Sequence, residues 1–390
     1  MNSDYSFENG TYIFHKNPTF NFQLNRTLIW GGGNFTEIQE AGKIITDALS
    51  WENTFLSLGE KALKEKRIEN AIAYFRMAEF FMFDNNPNKI KTYDRAREMF
   101  YELHAQEFKD GKINRGEVPY ESGFLPVWYT EPADGPNRGV LLISGGFDSY
   151  LEEFLKVTLY LRSLGFSVYL FEGPGQGAAI RKHGFQLTYQ WEKPVKAILD
   201  YFNLNEVTAI GLSLGGMLTP RAAAFEPRIK RVVAWSIFPN FLEVMISTRE
   251  TKIQNVIRFL LKYRLKSLFN LIIRKQMKKD LLAKWGVEHG IFVLGLQTPY
   301  DYFKMANDFR LDNIAGQIVQ DFLLLGAQKD HLIPVEFYKK VIDQLTNVQS
   351  LTYRLFTSYE KAENHCNVGN SVLALDFIVN WIEGLNNRRI

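Results

Sequence analysis

The sequence predicts an α/β fold: a mostly parallel, doubly wound sheet, with a helical domain ahead of it and a helical insertion within it. Three observations carry this. From about Gly139 onward, short apolar runs of strand length alternate with helical stretches, the pattern of strands buried on both faces. A Gly-x-Ser-x-Gly turn follows one of those strands and opens a helix, a context with chemical meaning. Residues 38–103, in contrast, place apolar side chains three and four apart with few breakers, which is the helical period.

Taken in order, the first forty residues are polar and aromatic and show no clear period. Within the helical stretch, Phe55, Leu58, Gly59, Ala62, Ala71, Phe75 and Ala78 fall at the spacings of one tetratricopeptide-type hairpin. No second copy follows at a period of about 34 residues, and a solenoid needs about three units, so an ordinary helical hairpin is expected. At Gly116 the pattern changes, and Val118–Thr130 reads as two short strands turning at Ser122-Gly123. Buried-type strands are expected at Gly139–Ser144, Phe166–Phe171, Val207–Gly211, Arg231–Ser236, Asp321–Gly326 and Leu351–Phe356. The 84 residues between Ser236 and Asp321 are too many for one crossover and must hold an insertion. The expected organisation is a mainly helical region at 1–115, then an α/β domain at 116–390 with a helical lid at about 240–315.

Composition narrows the function classes. Of 390 residues, 46% are hydrophobic and 23% charged, which argues against wholesale disorder, a fibrous repeat or a membrane bundle. The longest apolar run, Val232–Phe238, is strand-sized and far short of a membrane span. A single cysteine, Cys366, excludes an internal disulfide and a zinc site of several thiolates. The first ten residues carry acids and polar groups where a secretory leader needs a basic start and an apolar run. A soluble, cytoplasmic protein is therefore expected, with no integral membrane association. The net charge is +3, but eleven Lys and Arg against two acids between Arg249 and Lys284 give that segment +9, leaving −6 for the rest.

The chemistry centres on Gly211-Leu-Ser213-Leu-Gly215-Gly216, which follows the strand ending at Ile210 and opens a helix at Met217–Phe225. In that setting the motif is a nucleophile elbow: small residues two positions on each side allow a turn tight enough to expose the serine hydroxyl, and the N–H of Leu214 faces a developing oxyanion. A serine is a weak nucleophile at neutral pH and needs a base, and the base needs an acid to orient it. Asp330 lies just after the strand run Phe322-Leu-Leu-Leu, and His365 lies in the loop after Leu351–Phe356. The order Ser213, Asp330, His365 places all three at carboxyl ends of strands, where they can converge. His331 competes as base but adjoins the acid, and no acid follows the strand near Ser236 before Glu243. Cys366, beside His365, reads as a small buried hydrophobe rather than a nucleophile.

A second oxyanion donor is expected from Ser144-Gly-Gly-Phe-Asp-Ser: the N–H of Phe147, with Gly146 as the alternative. Phe171-Glu-Gly-Pro-Gly-Gln-Gly177 fails as a phosphate loop, because Pro174 removes a donor and no Lys-Ser or Lys-Thr follows. It reads as a shaped loop bordering the active-site mouth. In the basic segment, apolar residues recur at helical spacing between the lysines and arginines. The favoured reading is a lid helix with a basic solvated face; a membrane-surface or anionic-ligand helix, and nucleic-acid binding, are the alternatives.

With elbow, acid and histidine in order, residues 116–385 resemble an α/β-hydrolase. Val140-Leu-Leu-Ile-Ser-Gly-Gly-Phe-Asp-Ser, the Phe171–Gly177 loop, Gly211-Leu-Ser-Leu-Gly-Gly and Glu363-Asn-His-Cys-Asn-Val-Gly-Asn are similar to a branch with an N-terminal helical region. That branch includes 2,6-dihydroxypseudooxynicotine hydrolase, which cleaves a carbon-carbon bond, and esterase-like relatives. The elbow also resembles those of prolyl oligopeptidase and acylaminoacyl peptidase catalytic domains, although those usually carry a β-propeller.

The expectation is a serine hydrolase of ester or amide bonds, working through an acyl-enzyme with no cofactor and no metal. Acylaminoacyl-peptidase-like cleavage of short peptides and carbon-carbon hydrolysis are alternatives that share the machinery. A binding protein on a hydrolase scaffold is the alternative of another class. The expected partner is a small-molecule or short-peptide substrate in a narrow, covered site, with no nucleic acid; a homodimer is left open.

Overall fold

The alternating apolar runs form eight strands of one sheet. In this computed structural model, which describes residues 7–388, they are β1 (Asn114–Tyr120), β2 (Gly123–Thr130), β3 (Val140–Ser144), β4 (Ser167–Phe171), β5 (Val207–Leu212), β6 (Ile229–Trp235), β7 (Asp321–Ala327) and β8 (Ser350–Phe356). The first six residues of the segment tested above for a leader lie outside the described residues. The strand order is β1-β2-β4-β3-β5-β6-β7-β8. β1 and β2 form an antiparallel hairpin, β2 pairs antiparallel with β4, and every later pairing is parallel.

Every residue of β4, β5 and β7 is buried, in keeping with their predominantly apolar character. The edge strand β8 is partly exposed along its length, in keeping with its threonine and arginine. The hairpin turn falls one residue earlier than expected, at Glu121-Ser122, because Gly123 already pairs with Tyr120. Glu121 takes the left-handed conformation, φ 46°, while a side chain at Gly123 would press on His183 and Phe185. Glycine at 123 therefore serves a close approach rather than the turn.

By contact the chain divides into two units. One comprises the segment ending at Thr11, Glu107–Val244 and the segment from Phe309 onward, and contains the whole sheet. Helices such as Leu155–Ser163, Gly215–Phe225 and Val335–Ile342 pack on its strands. The other unit comprises Tyr12–Gln106 and Met245–Asp308. The second segment is the middle of the long connection between β6 and β7. It folds as helices Thr251–Lys262, Lys266–Met277, Leu281–Val293 and Pro299–Ala306.

The helical unit is held by an aromatic core. Trp51 is fully buried, stacks on Phe20 at 5.5 Å, meets Phe55 at 4.6 Å and Phe81 at 5.0 Å, and donates its indole N–H to the Met77 carbonyl. Trp285, from the later segment, stacks on Phe80 at 5.2 Å and meets Phe81 edge-on. Two stretches about two hundred residues apart in sequence thus share one core. Helices Ala48–Lys64 and Ile68–Phe81 form the expected hairpin, and a Cβ at Gly59 would come within 2.6 Å of the Phe75 ring.

One helix, Pro18–Ile29, arises where no period was apparent. It is fixed by its start: Asn17 accepts hydrogen bonds from the N–H groups of Thr19 and Phe20, and Pro18 occupies the first helical turn. Among the described residues, no helix is long and apolar enough to cross a membrane.

Candidate active site

β5 runs into helix Gly215–Phe225 through Ser213, which is held at φ 58°, in the left-handed region. A Cβ at Gly211 would lie 2.0 Å from the Gly215 carbonyl oxygen, and one at Gly215 would lie 2.6 Å from that of Gly145. The elbow closes only because both positions lack a side chain. A non-glycine residue in this conformation stores about 1–3 kcal/mol, which the surrounding pairings must offset. They do so through the Ser213 N–H, donated to the Trp235 carbonyl on β6, and the Gly216 N–H, donated back to Ser213.

The structure brings Ser213, His365 and Asp330 together. His365 donates its Nδ1–H to Asp330 Oδ2 at 2.7 Å, leaving Nε2 to accept from the Ser213 hydroxyl at 2.8 Å. Asp330 Oδ1 accepts the N–H groups of Leu332 and Ile333 at 2.9 and 3.0 Å, and the Tyr338 hydroxyl stands 3.5 Å from Oδ2. Burial of this carboxylate opposes its charge, but His365 outweighs burial and the pKa stays below the usual aspartate range. Burial likewise opposes an imidazolium at His365. The Asp330 charge and hydrogen bond overcome it, raising the proton affinity well above that of an ordinary histidine. His331 is separated from this pairing by its environment: burial pushes its pKa down to about 4, and its ring sits perpendicular to that of His365 at 6.2 Å.

Two loops hold Asp330 and His365. The Lys329 N–H donates to the Glu363 carbonyl, joining the loop after β7 to the one after β8. Asn367 accepts from the Trp235 indole at 2.8 Å and donates to the Ala362 carbonyl at 2.7 Å, so it braces the turn carrying His365. Cys366 and Asn367 both take left-handed conformations. The Cys366 thiol is buried and points toward the Trp235 carbonyl at 3.7 Å.

The loop after β3 lies directly against the serine: a Cβ on Gly146 would approach Ser213 Cβ to 2.7 Å and its Oγ to 3.1 Å. The Gly146 N–H, the alternative second oxyanion donor, is already committed to Ser149 Oγ at 2.8 Å. That removes it from the donor set in this conformation. The N–H of Leu214, at the start of the helix, has no acceptor among the described residues.

Gln176 was not anticipated. Its buried amide donates to the carbonyls of both Gly145 and Gly146, at 2.8 and 2.7 Å, and accepts from the Gly173 N–H. Glu172, equally buried, accepts from the N–H groups of Leu151 and Ala178. The Phe171–Gly177 loop therefore sets the backbone of the predicted oxyanion loop. The signal was present in its glycines and Gln176, which need a reason once a phosphate is excluded. Beside this loop the Phe147 ring packs on Phe241 at 5.6 Å, and Phe241 continues to Phe238 and Phe309, forming an aromatic wall.

No protein-family model matches the chain. It is 28% identical to α/β hydrolase psoB of Aspergillus fumigatus, covering 86% of this chain and 85% of that protein. Identity is 26% to hydrolyase poxO of Penicillium oxalicum, over 86% and 89% of the two chains. Among solved structures, 2,6-dihydroxy-pseudo-oxynicotine hydrolase superposes with a TM-score of 0.66 at 18% identity, covering 92% of this chain and 94% of that one. AbyA5 does so with 0.65 at 17% identity, over 90% of each. The sheet order, the turn at Ser213 and these near-full-length likenesses agree: the chain has the α/β-hydrolase fold and is a hydrolase.

Proposed function

We propose that this enzyme is a serine hydrolase that cleaves an ester or amide bond of a small substrate through an acyl-enzyme. His365 takes the proton from Ser213 as the hydroxyl attacks the carbonyl, and Asp330 keeps the imidazole in the required tautomer and stabilises the imidazolium. The N–H groups of Leu214 and Phe147 hold the oxyanion, and His365 returns its proton to the leaving group before water releases the acyl chain. The observation that carries this reading is the continuous relay from Asp330 Oδ2 through His365 to Ser213 Oγ, with contacts of 2.7 and 2.8 Å. The part-exposed ring of Phe147, on the loop that lies against Ser213, favours an apolar group on the substrate.

The test is a panel of acyl esters, thioesters, aminoacyl anilides and diketones, assayed with the wild-type enzyme and with Ser213→Ala. Hydrolysis of at least one acyl class that disappears in the variant is expected. Turnover that survives in Ser213→Ala, or activity confined to the diketones, would overturn the reading.

A further inference from the structure

The helical unit carries a surface that the acyl chemistry does not use. Helices Thr251–Lys262 and Lys266–Met277 each bury one side, through Ile257 and Leu260 on the first and Phe269 on the second. Their other sides are not the polar faces that a solvated helix pair would show. On the first helix and its end, Val256, Phe259 and Tyr263 recur at helical spacing and are about half exposed, with Phe259 at 53%. On the second, Leu268, Leu271 and Ile272 do the same, and Leu271 reaches 67%. A pair of short helices that is apolar on both sides is incompletely covered in water.

The charge around these side chains is predominantly positive. Lys266 pairs with Asp301 and Lys284 with Glu288. Lys252, Lys262, Arg264, Lys275, Lys278 and Lys279 have no carboxylate partner among the described residues. The segment's +9 stands against −6 for the remainder of the chain, so it is a local feature rather than a property of the whole protein. Bulky apolar side chains, two of them aromatic, interleaved with long flexible lysines are the composition of a helix that lies in the interface of a bilayer. There the apolar groups enter the acyl boundary while the ammonium groups meet anionic headgroups. A discrete phosphate or an acidic protein would account for the lysines but not for the exposed leucines and phenylalanine.

We infer that the helices Thr251–Lys262 and Lys266–Met277 form a docking surface for anionic lipid bilayers, holding the enzyme peripherally at a membrane. The test is flotation of the full-length protein with vesicles of phosphatidylcholine alone and with vesicles containing about 30% phosphatidylglycerol, at low and high salt. At least tenfold stronger partition to the anionic vesicles is expected, weakened by salt and not competed by soluble glycerol phosphate. The double variant Phe259→Ser/Leu271→Ser and the double variant Lys278→Glu/Lys279→Glu should each lose at least tenfold. All four positions are exposed, and unchanged thermal melting verifies that the variants are folded. Equal partition to both vesicle types, no partition to either, or full binding by the Phe259/Leu271 variant would overturn the inference. So would competition by glycerol phosphate, which would indicate a headgroup-sized anion site instead.

Discussion

The sheet unit and the helical unit differ in what is built at their centres. In the sheet unit, buried polar side chains at the carboxyl ends of the strands are held from several sides: Asp330 by two N–H groups and His365, Gln176 by two carbonyls and an N–H. In the helical unit the core is built from rings, with Phe55, Trp51, Phe81 and Trp285 in a chain of contacts, and much of its charge lies outside. Networks of directional bonds fix a geometry to fractions of an ångström, whereas aromatic packing supplies stability with looser positional demands. The difference assigns precision to one unit and surface to the other. It can be tested by perturbing each in turn.

The largest effect is expected at the base. His365→Ala should lower kcat by about a million-fold, measured on the best ester of the panel. Asp330→Asn should cost about ten-thousand-fold, because the amide favours the wrong tautomer of His365. It should also move the pH profile. In the proposed mechanism only neutral His365 can accept the serine proton, and its pKa is raised above the ordinary histidine range by Asp330. Activity should therefore rise with pH through an ionisation above that range, and Asp330→Asn should shift this acid limb to lower pH. An unmoved limb would show that Asp330 does not set the charge of the base.

In the helical unit, Trp51→Ala should remove about 3–5 kcal/mol of stability by opening a cavity among Phe20, Phe55 and Phe81. Denaturant unfolding followed by circular dichroism measures this, and the protein that remains folded should keep the Ser213 to His365 relay, visible as reactivity toward an acyl probe. Gln176→Leu comes last, with an expected loss of about ten- to a hundredfold in kcat and little change in KM, since it frees the Gly145-Gly146 backbone rather than removing a reacting group. Gln176→Glu, which keeps the length but not the donors, should behave alike. A loss of stability without this split between kcat and KM would reduce Gln176 to a packing residue.

The grouping of Ser213, Asp330 and His365 was legible because each stands beside a feature that sequence displays: a glycine-framed turn at Ser213, an apolar run before Asp330, a polar loop before the final helix at His365. The strands were legible for the same reason, since buried parallel strands are unbroken apolar runs. What escaped depended on long-range partners. Gln176 looks like any loop glutamine until β3 and β4 are paired and its amide meets Gly145 and Gly146. The Gly146 N–H could not be discounted without seeing that Ser149, three residues on, takes it. The helix Pro18–Ile29 carries its signal only at Asn17-Pro18, because its many buried residues, Gln23, Asn25, Arg26 and Thr27 among them, erase the amphipathic period.

The central claim is that Ser213 is the nucleophile. The most direct measurement is labelling of the full-length enzyme with a fluorophosphonate, followed by peptide mapping by mass spectrometry. One phosphonyl group on the peptide carrying Ser213, absent from Ser213→Ala and strongly slowed in His365→Ala, is the predicted result. Turnover of acyl substrates with no adduct at Ser213, or with the adduct at Cys366 or another serine, would contradict it.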